Sequence, residues 1–413
     1  MLEIGFGIGL FTAVVTVLAL IVELVRARLL PSTPVHIEMG EAGAVDGVAG
    51  RTLLEILNDA GVLLPSACAG RGSCGLCRIK VTRGGGVANP VEDSRLGRRA
   101  VAAGMRLACQ VRVRDDLGVE VPDEVFGVRH YACRVASTRS LAPLVKEVVL
   151  TIPPGEAPEL EPGAFVQVTA PPHALAFREM GVADWVRERW DALGLWDLES
   201  RCDEPTTRAY SLANAPEEVG TLVLFVRLAL PPPGASEETP PGIVSSWLFA
   251  LAAGAAVDVS GPYGHFFPSD SDRELIYIGG GVGMAPIRSH IFHLLKQRGD
   301  RRPISFWYGA RSRAELFNDE EFDGLAREYP NFTWQAVLSE PRPGDDWQGP
   351  TGFVHEVLYE RYLAEHPEPE ACEYYLCGPP LMVRAVRSML DGLGVDPEQI
   401  VFDDFGTAPG KAR

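Results

Sequence analysis

Eight cysteines punctuate the 413-residue chain, at positions 68, 74, 77, 109, 133, 202, 372 and 377. Three share one glycine-rich loop, Cys68-Ala-Gly-Arg-Gly-Ser-Cys74-Gly-Leu-Cys77, and Cys109 follows well downstream. Four thiolates suit a [2Fe–2S] cluster, two sulfurs per iron, or a single tetrahedral Zn²⁺. The spacing favours the cluster. Structural zinc usually takes two separate Cys-x-x-Cys knuckles, whereas three cysteines in one loop plus a remote fourth is a ferredoxin pattern. The loop is one residue longer than the plant-type spacing. Its glycines let the backbone wrap closely and aim N–H groups at sulfur. Cys133, Cys202 and Cys372 have no partner at metal-ligand spacing and read as buried small residues.

Four further motifs follow in order. Arg208-Ala-Tyr210-Ser211-Leu-Ala-Asn214 lies on a β-type run, so Arg208 and Tyr210 share a face. A guanidinium there suits a diphosphate, and a phenol ring suits the plane of a flavin. Ser211 can reach a flavin ring nitrogen. About thirty residues on, Gly242-Ile243-Val244-Ser245-Ser246 opens a helical stretch, and such a turn is an anion site. Together these point to FAD. The run Leu275–Ile278 then leads into Gly279, Gly280, Gly281 and Gly283, with Pro286 near a helix start. Strand, glycine turn and helix form the context for a nucleotide pyrophosphate. Finally Cys377-Gly378-Pro379-Pro380 follows the strand Tyr-Tyr-Leu. Cys377 there is either a sheet-edge residue facing ligand or a small core residue. Phe405, near the C-terminus, is either a cover over the flavin or an ordinary packed aromatic.

The elements that must position these residues are readable from pattern. Residues 34–38 alternate as a strand, 51–62 have helical spacing, and RIKVT and ACQVRV read as strands flanking the cysteines. From 129 to 269, β-runs separated by Pro and Gly predict an antiparallel barrel. Residues 173–207 interrupt it, with Trp185, Trp190 and Trp196 in a surface subdomain packing its own small core. From 270 to 413, strands alternate with helices, which predicts a parallel, doubly wound α/β sheet. Ahead of all this, Ile4 to Val22 carries no charge, just enough to span a bilayer as one helix. Glu3 precedes it, and Arg26 and Arg28 follow. These flanks oppose a signal peptide and place the N-terminus outside and the catalytic body in the cytoplasm. The expected division is 1–30 anchor, 34–128 iron–sulfur module, 129–269 FAD barrel and 270–413 nucleotide module. Lys+Arg 38 against Asp+Glu 55 gives a net charge of −17, and no basic patch offsets it, so a nucleic-acid partner is excluded.

The Arg208-Ala-Tyr210-Ser211 run, the glycine turn and the Cys377-Gly-Pro-Pro380 turn resemble the ferredoxin-NADP reductase superfamily. The whole chain, from the anchor to the Asp403-Asp-Phe405-Gly end, resembles the family of F subunits of sodium-translocating NADH:quinone oxidoreductases. The Trp-bearing insertion before Arg208, Pro231-Pro-Pro-Gly234, Trp307-Tyr-Gly-Ala-Arg-Ser312 and Thr351-Gly-Phe353 carry that likeness. Arg71 departs from it, since a smaller or uncharged residue is expected in that loop. The resemblance implies a multidomain protein: one transmembrane helix, an α+β ferredoxin-like (β-grasp) domain, a FAD barrel and an α/β NADH domain. It implies that Cys68, Cys74, Cys77 and Cys109 ligate the [2Fe–2S] cluster. Arg208, Tyr210, Ser211, Asn214 and 242–246 would hold FAD. Gly280, Gly281, Gly283, Pro286, Gly378 and Pro379 would hold NADH, with Ser211, Cys377 and Phe405 bordering hydride transfer. It further implies a bacterial inner-membrane complex whose other subunits take the electrons and move the ion. Chemistry agrees: NADH gives a hydride, the cluster takes one electron, and a flavin joins the two. The competing readings are a monooxygenase reductase component, which would lack residues 4–22, and a carrier protein that no longer oxidises NADH. Ser312 and Arg313 follow a strand end where a 2′-phosphate could bind, so NADH over NADPH rests on the resemblance.

Overall fold

The computed structural model describes residues 33–403, apart from 67, 69, 233, 235–238 and 265, together with 12 and 14–18. Most of the expected span at 4–22 lies outside the described residues. Among those described, no helix is long and apolar enough to cross a membrane. The chain divides into two compact units, Met1–Pro65 with Gly70–Phe126, and Ser66–Ala69 with Gly127–Arg413.

In the first unit β1 (Pro34–Glu38), β2 (Ala44–Val48), β3 (Arg78–Arg83), β4 (Met105–Leu107) and β5 (Leu117–Glu120) form one sheet, ordered β2-β1-β5-β3-β4. Helix α1 (Leu53–Asp59) lays Leu53, Leu54, Ile56 and Leu57 on its core, and Thr52 and Glu55 close a capping box. Helices α2 (Pro90–Leu96) and α3 (Arg98–Ala102) follow β3. ACQVRV is not a strand. Its carbonyls at Ala108 and Val111 accept the N–H groups of Leu54 and Leu53. This stretch therefore satisfies the open N-terminus of α1 instead of a sheet neighbour, and Cys109 stands in a turn.

The second unit opens with β6 (Arg129–Ala142), β7 (Val145–Thr151), β8 (Phe165–Ala170), β9 (His173–Ala176), α4 (Asp184–Ala192), β10 (Glu199–Cys202), β11 (Thr206–Ser211), β12 (Thr221–Arg227), α5 (Ile243–Ala250) and β13 (Ala256–Tyr263). Six strands run antiparallel in the order β11-β8-β13-β6-β7-β12. A bridge from Leu212 to Leu224 joins the two ends of that order, so the sheet closes. The insertion does not pack a core of its own. Its strands β9 and β10 have four residues each, too few to bury an indole. Trp190 instead joins the barrel core, donating its indole N–H to Pro143 O at 2.8 Å and stacking near Phe249.

Lys146 of β7 is buried beneath this insertion and donates to the carbonyls of Gly181 and Phe249, with no carboxylate partner among the described residues. Burial pulls its ammonium down to about 8. Between that value and the ordinary lysine range, the unfolded chain binds the proton that the folded chain releases, so stability rises with pH. We expect the melting temperature to climb from pH 8 to pH 10 by an increment that Lys146→Met lacks. Parallel melting curves of the two proteins check this.

The remainder alternates: β14 (Leu275–Gly280), α6 (Met284–Phe292), β15 (Ile304–Ala310), α7 (Asp319–Glu328), β16 (Phe332–Leu338), α8 (Val354–Arg361), β17 (Glu373–Cys377), α9 (Pro380–Gly392) and β18 (Ile400–Asp403). All five strands are parallel, ordered β16-β15-β14-β17-β18. Side chains from α6 tie this sheet to the barrel. Arg288 donates to Ala213 O and pairs with Glu321, and buried His290 bonds Phe266 O.

Candidate functional site

The order of the parallel sheet places β14 and β17 side by side, with Gly279 opposite Cys377. Their C-terminal turns consequently meet. A Cβ on Gly283 would lie 2.0 Å from Cys377 O, and one on Gly280 would lie 2.8 Å from the Met382 sulfur. Only glycine permits that approach. Gly281, at φ +56, faces open space instead. A cavity of about 550 Å³ opens there, lined by Gly280, Gly281, Pro379, Leu381, Phe353 and Glu340 among others. Exposed Phe353 and Leu381 give it apolar walls. Arg189 and Arg227 also line it, without an ion-pair partner among the described residues. Open glycine backbone, two available cations and apolar walls fit a dinucleotide. Pro286 is buried within α6 and forms no part of the wall.

The far end of this cavity carries Arg311, which spends its guanidinium on Glu315 at 2.8 and 2.6 Å. Arg313 is held by Asp319 at 2.7 Å, and Ser312 is buried. Both cations at this strand end are thereby neutralised, and Glu340 stands in the same cavity. An extra phosphate would meet carboxylates there, which disfavours NADPH.

The barrel strand β11 carries Arg208, Tyr210 and Ser211. Arg208 donates to Thr207 O, and burial pushes the Tyr210 phenol up, so it stays neutral. At the start of α5, Gly242 precedes Ile243, whose neighbour Val244 packs into the core. Ser245 donates to Gly242 O and accepts from Ala229 N. Ser246 is fully buried with no partner for its hydroxyl among the described residues, as a helix start built for an anion would leave it. These residues fit FAD. Asn214 does something else. Its Nδ2 donates to Thr221 O and its Oδ1 accepts from Val223 N, so its amide stitches the barrel seam next to Leu212.

Sequence reasoning missed Asp403. The last strand, β18, delivers it beside Cys377, and its carboxylate accepts the Ser211 hydroxyl at 3.1 Å. The signal was the acidic pair before Phe405, which itself lies outside the described residues. Cys377 is fully buried, in one core cluster with Tyr277, Phe306 and Tyr375. Ser211, Asp403 and Cys377 are thus brought to one end of the parallel sheet.

Of the four candidate cluster ligands, Cys74, Cys77 and Cys109 belong to the first unit, and Cys68 lies in the stretch that groups with the second. Cys68, Cys77 and Cys109 are buried. Gly70, Gly72 and Gly75 all take positive φ, the backbone state a tightly wrapped loop needs. Thiol-rich and glycine-wrapped, with Cys74 half-buried and the other three cysteines buried, the loop has the donor set of an iron–sulfur centre. Cys133 and Cys372 are buried with thiols pushed up to about 11 and about 12 by desolvation, which leaves them inert.

Comparison with known proteins fits this layout. Residues 37–114 match the 2Fe-2S iron-sulfur cluster binding domain, 197–267 the oxidoreductase FAD-binding domain and 277–388 the oxidoreductase NAD-binding domain. The F subunit of the Na(+)-translocating NADH-quinone reductase of Neisseria meningitidis serogroup C is 47% identical over 98% of this chain and 100% of its own. Its counterpart in Klebsiella pneumoniae is 47% identical over 98% and 100%. Among solved structures, an Amycolatopsis cytochrome P450 reductase matches at TM-score 0.63 and 26% identity, over 90% of this chain and 98% of that one.

Proposed function

This chain belongs to the family of F subunits of the Na(+)-translocating NADH-quinone reductase, and from that premise we propose which of its residues carry each step. Its activity is electron input to a multisubunit membrane complex: NADH is oxidised, with FAD and a [2Fe–2S] cluster as cofactors. When bound, FAD would supply the two-electron to one-electron conversion that a hydride donor and a one-electron cluster require.

In this reading residues 1–30 form a single-pass anchor crossing the inner membrane through 4–22, with the N-terminus outside. Residues 34–128, 129–269 and 270–413 are the cluster, FAD and NADH modules on the cytoplasmic side. Cys68, Cys74, Cys77 and Cys109 ligate the cluster. Arg208 neutralises the FAD diphosphate together with the Gly242–Ser246 turn, and Tyr210 and Ser211 face the flavin ring. Asn214 acts at one remove, by closing the barrel. Gly280, Gly281 and Gly283 bring backbone N–H groups to the NADH pyrophosphate, and Arg189 and Arg227 supply cations from the cavity wall. Pro379 forms the facing wall, and Gly378 lets its turn close on Gly280. Cys377 and Phe405 border the hydride path. The cavity over Gly281, walled by Pro379 and Phe353, carries this reading.

Its test is the visible spectrum of the purified full chain in detergent, with NADH and NADPH added separately without oxygen. Rapid bleaching of flavin and cluster by NADH is the expected result. No bleaching by either nucleotide would reduce the chain to a carrier. Glu315→Gln should release Arg311 toward a 2′-phosphate and raise kcat/KM for NADPH relative to NADH about tenfold, the equivalent of roughly 1.4 kcal/mol. An unchanged ratio would show that Arg311 does not face the ribose.

A further inference from the structure

We propose that Gln110 sets the reduction potential of the iron–sulfur centre by donating an N–H···S hydrogen bond to Cys109, and that the cap of helix α2 fixes this bond. The inference rests on Cys109 being a cluster ligand.

The amide of Gln110 lies with Nε2 3.0 Å from Gly70 O and 3.4 Å from both Cys109 Sγ and Cys109 O. An amide can present either end, and only its neighbours decide which. Here two neighbours agree. Gly70 O is an acceptor and demands the NH₂ end. On the other side Asn89 Nδ2 donates to Gln110 Oε1 at 3.2 Å and demands the carbonyl end. Asn89 cannot turn over, because its own Oδ1 caps α2, accepting from Val91 N at 2.9 Å and Glu92 N at 3.1 Å. The orientation therefore passes from two backbone N–H groups through Asn89 to Gln110 and onto sulfur. The loop is shaped around this amide. A Cβ on Gly72, at φ +76, would lie 2.9 Å from Val91 Cγ1 and 3.0 Å from Gln110 Cδ and Nε2, so glycine favours the loop lying against this amide.

A donor to thiolate sulfur stabilises the more negative, reduced cluster and raises its potential. Gln110 is a positioning and tuning residue, not a ligand. The bond would thus favour the reduced state of a cluster bound here, with its polarity enforced by a helix cap.

The test uses the full chain in detergent with its cluster bound, titrated electrochemically while cluster and flavin signals are followed in one sample. Gln110→Leu removes the donor. Asn89→Ser keeps a neutral capping oxygen but loses the NH₂ that holds Gln110, freeing the amide to turn its oxygen toward sulfur. In both, the cluster potential should fall while the flavin potentials stay in place. The iron–sulfur stretching bands should also shift in resonance Raman spectra. If Gln110→Leu fails to keep its cluster, Asn89→Ser decides alone. A wild-type cluster potential in a variant that retains the cluster overturns the proposal. Cys109→Ser separates the two levels of the argument: an unaltered cluster spectrum there overturns the ligand assignment instead.

Discussion

Arg106→Met should destabilise the iron–sulfur unit by about 3–5 kcal/mol, the range for breaking one side of a buried ion pair. Arg106 meets Glu92 at 2.8 and 2.9 Å, and Glu92 is wholly buried. The same guanidinium donates to the carbonyls of Gly85, Gly86 and Val87, so it also holds the turn after β3. Glu92 in turn accepts from Asn89 N and Leu107 N. Removing the arginine leaves a carboxylate that burial alone would push up, where Arg106 and those backbone donors now hold it below the ordinary range. The sign with pH follows. In the wild type, the contribution of Glu92 is complete above the ordinary carboxylate range and is lost as pH falls through its lowered folded value. In Arg106→Met the folded carboxyl binds its proton more readily than the unfolded one. The deficit should be greatest at neutral pH and shrink on acidification. Urea titrations at pH 7 and pH 5, read by loss of the cluster absorbance, check this. The double variant Arg106→Met, Glu92→Gln should recover part of the loss, because no buried charge remains unpaired. Equal deficits at both pH values would show that the charge is not what matters.

How much of this was legible beforehand depends on sequence distance. The cysteine loop, the glycine turn and the R-x-Y-S run each hold their chemistry within a few residues, so type and spacing expose them. The alternation of strand and helix after residue 270 likewise announces a parallel sheet. What stayed hidden was made by pairing across long intervals. Asp403 meets Ser211 across 192 positions, and no local pattern marks that contact. Asn214 looks like part of a ligand motif because it follows Ser211, yet its amide closes the barrel through β12. Trp190 reads as an insertion residue until the barrel core is seen to need it. ACQVRV has strand composition, but the open end of α1 claims its carbonyls first. In each case a local preference was overruled by a buried polar group or an aromatic that had to be satisfied from elsewhere.

Ser211→Ala and Asp403→Ala should each slow flavin reduction by NADH about 100-fold, the scale of losing one preorganised electrostatic group. The hydroxyl proton of Ser211 is committed to Asp403, so its oxygen is left to accept. That would suit a flavin nitrogen that gains its hydrogen as hydride and becomes an N–H donor on reduction. The carboxylate of Asp403 has a second effect. A nicotinamide giving up hydride becomes positive, and a fixed negative charge at this end of the sheet favours that change. The two residues act as one unit, so the double variant should be little slower than either single one. The cavity over Gly281 is lined by neither residue, so half-saturation by NADH should stay near the wild-type value while the limiting rate falls. Stopped-flow bleaching of flavin across a range of NADH concentrations measures both quantities. A double variant slowed by the product of the single effects would mean that the hydroxyl and the carboxylate work independently. Their hydrogen bond would then be packing rather than mechanism. A rise in half-saturation with no loss of limiting rate would move both residues out of the hydride step and into nucleotide binding.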